Sequence, residues 1–467
     1  MSKQTKSKTG GARAALPANV VPPVKRKRAR LPALRLALSF IIALCVGGAL
    51  WLALKPPANT PQDTPKAAKQ LTPAELERAL RTEQLLAAET LVAAFPSSDD
   101  AVYLLGLAHN EQGDSEAAMK LWRRSLEIDA TRADANDNIG HALLLRDEYA
   151  QAEEYFRKAL AIDPTLATAN FRLASALVHQ GKLREAITVL EKAHSLSAEG
   201  HRLLGEAYRQ VENYDKAKTH YEKALQLKSG LAEAHYGLSK VYAALDDERS
   251  KEHFEKFSAL NRETDEQKRR VRESFDTMAI TRKSVAQTHT DVGRVYARQG
   301  RIRDAEESWL RAVGLDPRNT VCRLQLAILY QQTNRDGEAL KLYGEIATID
   351  PSDALVHLNV GRVCLKLGHP ARAERAFKEV IRLAADRPEG HAGLAELYLQ
   401  GGRDLTKARA LAETAVRLAP EAPYYALLGH ACAINRDRAG ALAAFNRAVE
   451  LRPDNPQYAQ LRDALLK

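Results

Sequence analysis

The chain is poor in the residues that usually announce chemistry. Four cysteines, three methionines and three tryptophans occur in 467 residues, and aromatic residues make up 6%. Cys45, Cys322, Cys364 and Cys432 are scattered with no CxxC among them, which argues against a disulfide framework or a cysteine zinc site. P-loop, HExxH, nucleophile-elbow and paired-carboxylate motifs are all missing, so the sequence predicts neither an enzyme nor a cofactor or metal requirement. Acidic residues are absent before Asp63, whereas Lys3, Lys6, Lys8, Arg13, Lys25, Arg26, Lys27, Arg28, Arg30 and Arg35 precede it. Those cations account for the whole formal charge of +10, leaving 59 basic and 59 acidic residues in the rest of the chain. A balanced remainder has no net field to hold a phosphate backbone, and nucleic acid is not an expected partner of it.

Long apolar runs are equally scarce. One charge-free stretch, LALSFIIALCVGGALWLAL at 36–54, would be roughly 28 Å long as a helix, the thickness of a bilayer's hydrocarbon core. KRKRAR precedes it, and only Lys55, Lys66 and Lys69 follow closely. The positive-inside rule then predicts a basic cytoplasmic tail at 1–35 and a transmembrane helix at 36–54, with everything beyond outside the cytoplasm. The expected localisation is a single-pass protein of a bacterial-type inner membrane, with the lipid bilayer as a partner. A cleaved secretory signal stays open because Gly47, Gly48 and Ala49 are small, although the apolar run continues to Leu54. Five prolines between Pro56 and Pro73 predict an extended linker over 55–73.

Periodicity is what the chain has in abundance. In the stretch Ala135–Pro164, Gly140 is followed by Ala152, Phe156, Ala159 and Pro164, and Gly106, Ala118 and Trp122 occupy the same frame 34 residues earlier. Such a unit reads as two amphipathic helices joined by a polar turn, neither able to bury its stripe alone. Small residues permit close approach at the crossing, the aromatic fills the space toward the next unit, and the proline stops the second helix. The crossing residue recurs as Gly106, Gly140, Ala174, Gly205, Ser239, Gly293, Ala327, Gly361, Ala395 and Gly429, with Ala305 and Pro317 holding the later positions of one further unit. The spacing departs from 34 twice, at 31 before Gly205 and at 54 before Gly293.

This frame resembles the tetratricopeptide repeat. The resemblance, which covers roughly residues 72–467, implies an all-α fold, a right-handed α-solenoid of about ten helix-turn-helix repeats, and the apolar run places one transmembrane helix before it. Thr72 and Glu75 form a capping-box pattern with Pro73 at the first helical position, predicting a degenerate first repeat over 74–98. Repeats one to five then occupy 99–260 and repeats six to ten 285–454, separated by a charged helical insert at 261–284. Val271, Phe275 and Met278 give the insert a narrow apolar stripe, which fits a lengthened helix on repeat five or a hinge. A capping helix is expected at 455–467, with Tyr458, Leu461 and Leu465 on one side.

Histidine recurs at one repeat position in His201, His235, His289, His357 and His391, and tyrosine at another in Tyr208, Tyr242, Tyr296, Tyr330 and Tyr398. Adjacent units stand about 8–10 Å apart, too far for two equivalent imidazoles to share an ion at about 2 Å, so both series read as packing residues. In proteins the array resembles, first helices line a concave groove for peptides or partner helices. That register falls on His141, Ser175, Glu206, Lys240, Arg294, Ile328, Arg362, Glu396 and His430. A family clamp for acidic tails is incomplete: Asn138 and Arg172 fit it, but Tyr103 and Leu107 do not. The expected partner-binding surface lies on repeats six to eight, where Arg294, Arg298, Arg362 and Lys366 accompany Leu324, Ile328, Leu355, Leu358 and Leu365, suiting an acidic amphipathic segment. By analogy the expected function is a membrane-anchored scaffold that binds proteins or peptides and assists assembly or secretion of envelope complexes. Two alternatives stay open: an accessory subunit presenting substrates to a separate enzyme, and a basic tail binding anionic lipid or nucleic acid.

Overall fold

Each amphipathic stripe of the sequence folds as a helix, and each polar break folds as a turn. The computed structural model describes residues 71–193, 195–274 and 277–466, among which there are twenty-two helices and no strand. Twenty helices pair into ten helix-turn-helix units, from Asp99–Glu111 with Ser115–Ile128 to Ala422–Ile434 with Arg438–Leu451. All ten crossing residues fall in the first helix of a pair. The turns within units reverse through a left-handed residue, glycine at Gly300 and Gly368 but Asp147, Asn334 and Arg436 elsewhere.

Packing at the crossing explains the small residue. A Cβ built on Gly140 would stand 2.7 Å from Phe156 Cε1, because the fully buried ring lies flat on the glycine of its own unit. Phe377 is held from both sides: Gly361 of its own unit and Gly393 of the next would bring a Cβ within 2.5 and 2.4 Å of its ring. Two units use tryptophan instead. Trp309 Nε1 donates to the Thr290 carbonyl at 3.0 Å, whereas the buried Nε1 of Trp122 has no hydrogen-bond partner. Both Trp→Phe substitutions forfeit the same ring area, but only one forfeits a hydrogen bond. Trp309→Phe should therefore cost about 1–3 kcal/mol more than Trp122→Phe in denaturant unfolding. Equal losses would mean that the two indoles are hydrogen-bonded alike.

The recurring tyrosines are buried rings with wet tips. The hydroxyl of Tyr330 donates to Glu306 at 3.1 Å and that of Tyr398 to Glu374 at 3.0 Å. A cation from the following turn covers the ring, with Arg335 4.0 Å from Tyr330 and Arg249 4.3 Å from Tyr242. Cys322, Cys364 and Cys432 are buried, and burial pushes the Cys322 thiol up to about 11, which keeps it protonated.

The array is continuous in sequence order but not in stacking order. The second helix of the fifth unit, Arg249–Ser274, packs on Ala232–Ala244 and buries none of its residues among those described through 266. The next helix, Thr277–Arg298, packs on the leading helix Pro73–Ala94 and on Asp99–Glu111. The leading helix offers Leu80, Gln84, Ala88 and Leu91 as a buried face, which the charged helix cannot match. It thus joins two blocks of five units, and one hydrophobic core runs from Leu80, Leu91 and Leu104 into Val285, Tyr296 and Trp309. Residues 74–98, expected as a degenerate repeat, supply this joining helix. Of the expected insert at 261–284, residues 261–274 continue the helix Arg249–Ser274 and residues 277–284 open the helix Thr277–Arg298, while 275 and 276 lie outside the described residues.

The expected basic tail at 1–35, the transmembrane helix at 36–54 and the linker as far as residue 70 lie outside the described residues, and Pro73, placed at the end of the linker, is the first residue of the leading helix. Among the described residues no helix is long and apolar enough to cross a membrane. The three of 22 residues or more carry charge throughout, as in PAELERALRTEQLLAAETLVAA. The expectation of a single-pass membrane protein is corrected to that extent: no described helix can serve as its span.

Candidate partner-binding groove

First helices touch first helices of neighbouring units, as in Ala354–Lys366 with Pro388–Gln400 and Pro388–Gln400 with Ala422–Ile434. Crossing residues point into each pair, so the residue that follows them faces outward along the row of first helices. None of the register His141, Ser175, Glu206, Lys240, Arg294, Ile328, Arg362, Glu396 and His430 is buried.

The surface expected on repeats six to eight is only partly assembled. Leu358 is 5% exposed and belongs to the core, and Leu324 and Leu365 pack against that core, whereas Ile328 and Leu355 are 37% and 46% exposed. Three of the four cations are already paired within the array. Arg294 bonds Asp291 on its own helix, and Lys366 Nζ lies 2.7 Å from the buried Asp336. Arg298 reaches Asp100 at 2.9 Å, where it strengthens the joint between the blocks instead of lining a groove. Asp100 also holds Arg132. Arg362 alone of the four makes no ion pair among the described residues. The incomplete tail clamp is likewise spent internally: Asn138 Nδ2 donates to the Tyr103 hydroxyl at 2.9 Å, and Arg172 pairs with the buried Asp137.

A groove of ≈ 630 Å³ opens one to two units farther along, on the first helices of the last three units. Arg362, Glu396 and His430 of the register line it, joined by Glu389, Tyr424, Leu427 and, from the final helix, Tyr458. Its depth has a local cause. Ala392, Gly393 and Ala426 remove side chains from the row, and Phe377 is drawn inward against Gly393. The helix Pro456–Leu466 closes the far end by laying Tyr458 on Ala422 and Ala426, while Leu461 and Leu465 cover Cys432 and Phe445.

The groove's electrostatics are mixed. Burial opposes ionisation of Glu389, but a hydrogen bond from Arg387 at 2.8 Å and its own backbone hold the carboxyl below its usual value. Glu389 Oε2 is buried and has no hydrogen-bond partner. The Tyr424 phenol is pushed up by burial and then by Glu389 and Glu421, so it stays a donor. An apolar floor with a phenol donor and the unpaired Arg362 offers ways to fix a polypeptide segment. Glu389, Tyr424 and Tyr458 were not singled out in the sequence. Only the register residues carried a signal, because Glu389 and Tyr424 lie about two turns before it on the same helices and Tyr458 stands on the last helix.

The five recurrent histidines do not meet one another. His357 Nε2 bonds the Pro351 carbonyl at 3.0 Å, His391 meets the Ala385 carbonyl, and His289 Nε2 bonds Glu83 at 3.0 Å. A histidine here anchors the loop that precedes its helix or, at the joint, the leading helix.

Three tetratricopeptide repeat models match the chain, one over 143–196, one over 198–230, and one over 85–135, 291–354, 361–423 and 403–456. No curated protein matches the sequence. Solved structures with similar folds include MamA (residues 41 to the end) from Desulfovibrio magneticus RS-1, 24% identical, with a TM-score of 0.34, covering 36% of this chain and 97% of its own. TTC0263, a thermophilic protein of the same repeat class from Thermus thermophilus, is 18% identical, with a TM-score of 0.33, and covers 39% of this chain and 98% of its own. Yeast Tom70 is 15% identical, with a TM-score of 0.34, and covers 78% of this chain and 95% of its own.

Proposed function

We propose, from the premise that this chain belongs to the tetratricopeptide repeat family, that it is a protein-binding scaffold whose partner segment seats in the groove of the last three units. Scaffolding of protein partners follows from the family and the helical array. The observation that carries the finer placement is Arg362, an exposed cation on the groove lining that makes no ion pair among the described residues. The other three cations of the expected surface, Arg294, Arg298 and Lys366, are neutralised internally, and a docking segment gains little by replacing pairs already made. At the groove, a segment carrying a carboxylate or carbonyl gives Arg362 a partner. An apolar side chain would fill the space between Leu427 and Tyr458.

Photo-crosslinking tests this placement. A crosslinker at Glu396 or His430 should capture the same protein partner, and one at Glu413 on the outer helix Leu405–Leu418 should not. Arg362→Glu should lower recovery about tenfold or more, corresponding to 1.4 kcal/mol or more of lost binding. Capture from Glu413 alone would place the partner on the convex side and end this reading.

A further inference from the structure

His201 and His220 face each other within the fourth unit, with Nδ1 3.2 Å from Nδ1, and His235 and His253 repeat the arrangement in the fifth unit at 3.0 Å. In each pair one ring comes from the first helix and one from the second. A tyrosine of the recurrent series packs on the second ring: Tyr208 lies 5.6 Å from His220 with planes 9° apart, and Tyr242 lies 5.4 Å from His253 with planes 36° apart. Helix packing and these tyrosines therefore hold the imidazoles in place. The arrangement arises only where a second histidine stands on the second helix, and the other recurrent histidines have carbonyl or carboxylate partners instead.

Two facing nitrogens at this separation either share one proton or converge on a third atom. Two metal–nitrogen bonds of about 2.0–2.1 Å put their nitrogens about 3.3 Å apart at a tetrahedral angle and about 2.9 Å apart at a right angle. Both pairs fall inside that interval. We propose that His201 with His220, and His235 with His253, are two separate clamps, each binding one divalent transition-metal ion such as zinc through its two Nδ1 atoms. The sites lie in successive units, so each ion ties the two helices of one unit and none bridges units.

Protonation and outer contacts agree with this role. Burial lowers the basicity of all four rings, most for His220, which falls to about 4, so the rings are in their neutral, ligating form at pH 7. His235 also meets the Ser229 carbonyl. With Nδ1 turned to His253, its proton sits on Nε2 and the Nδ1 lone pair faces the clamp, an arrangement common to ligating histidines. Around His220, Lys223 and Lys216 oppose an added cation and Glu191 favours it; around His253, Lys256 and Arg249 oppose it and Glu252 and Glu222 favour it. No group of three or more histidine, cysteine, aspartate or glutamate side chains suited to a metal occurs among the described residues, so water completes each coordination sphere. The fifth unit ends the first block with the exposed charged helix, and an ion bound there braces a helix that no following unit covers.

The test is calorimetric titration of the full chain, first stripped with chelator and dialysed, using zinc chloride alone. Two equivalents should bind to the wild type, one to His220→Gln, one to His253→Gln, and none to the double variant, with His391→Gln retaining two. His201→Gln, which changes the other helix of the fourth unit, should reproduce the loss of one equivalent. Far-UV circular dichroism should show unchanged helix content in each variant, and bound zinc should raise the thermal midpoint of the wild type but not of the double variant. Absence of zinc uptake by the folded wild type would show that the pairs only share protons and would overturn the proposal. Unchanged stoichiometry in the folded double variant would overturn it too.

Discussion

Gly140→Leu is expected to destabilise the array by about 3 kcal/mol, the upper end of what overpacking usually costs. Phe156 is fully buried and already sits where the first atom of a new side chain would go, 2.7 Å from an added Cβ. The ring cannot retreat, because Ala152 and Ala159 on its own helix are themselves fully buried. Leucine therefore forces the two helices of the unit apart and loosens its stacking on both neighbours. Gly344→Ala is the matched control. That glycine also lies in a helix, yet nothing approaches within 4 Å of an added Cβ, so alanine should be neutral or stabilise by up to about 1 kcal/mol through helix propensity. Since repeat arrays unfold unit by unit, hydrogen exchange resolved along the chain should show the Gly140→Leu effect centred on 133–162. Unchanged protection there would refute the crossing geometry.

Glu83→Ala should open the joint between the blocks without unfolding either. Glu83 accepts from Arg311 Nε at 2.6 Å and Nη2 at 2.7 Å, and from His289 Nε2 at 3.0 Å, linking the leading helix to the second block. The neighbouring Gln84 is buried and donates to Thr288 at 2.9 Å, a second polar contact across the joint. Burial alone would raise the Glu83 pKa, but the hydrogen bonds from Arg311 and His289 outweigh it and hold the carboxyl at about 2. Against 4.5 in the unfolded chain, this corresponds to a contribution on the order of 3 kcal/mol at neutral pH. The folded value is the lower one, so the contribution is complete above about 4.5 and is lost as the pH falls toward about 2. Alanine removes it at every pH and leaves Arg311 and His289 facing an empty place. Exchange should accelerate in 73–94 and 277–298 while 149–227 keeps its protection. Glu77→Ala, which breaks a half-exposed pair with Arg81 one turn away, should cost less than about 0.5 kcal/mol. Equal acceleration by both variants would mean that the joint rests on apolar contacts alone.

The ten helix pairs, their small crossing residues and the aromatics that fill them were legible in the sequence because a repeat's packing is local. Gly140 meets Phe156 sixteen positions away, and any register error would have turned polar residues inward throughout the array. The incomplete tail clamp was also legible, although its internal use, Asn138 on Tyr103 and Arg172 on Asp137, was not. The groove's register residues could be counted off the period, yet their charge could not be judged free or spent. Arg294 and Arg362 are equivalent by period, and the difference lies in Asp291, one helical turn before Arg294, which has no counterpart acid before Arg362. Pairing of the histidines escaped because equivalent positions were compared between units, while His220 and His253 stand on the opposite helix of the same unit.

What only the tertiary structure decided is where the array breaks and what repairs it. Contacts across the joint link Gln84 with Thr288 and Asp100 with Arg298, about 200 positions apart, far beyond any period. The physical reason is the long helix Arg249–Ser274: its described residues are mostly charged and none is buried, with Phe254 left 49% exposed, whereas Leu80 and Leu91 of the leading helix are buried in one core with the second block. Local amphipathicity determined that each helix forms and with which neighbour it pairs. The choice of which exposed apolar face would receive the second block depended on comparing two distant surfaces, and that comparison is made only when the chain has folded.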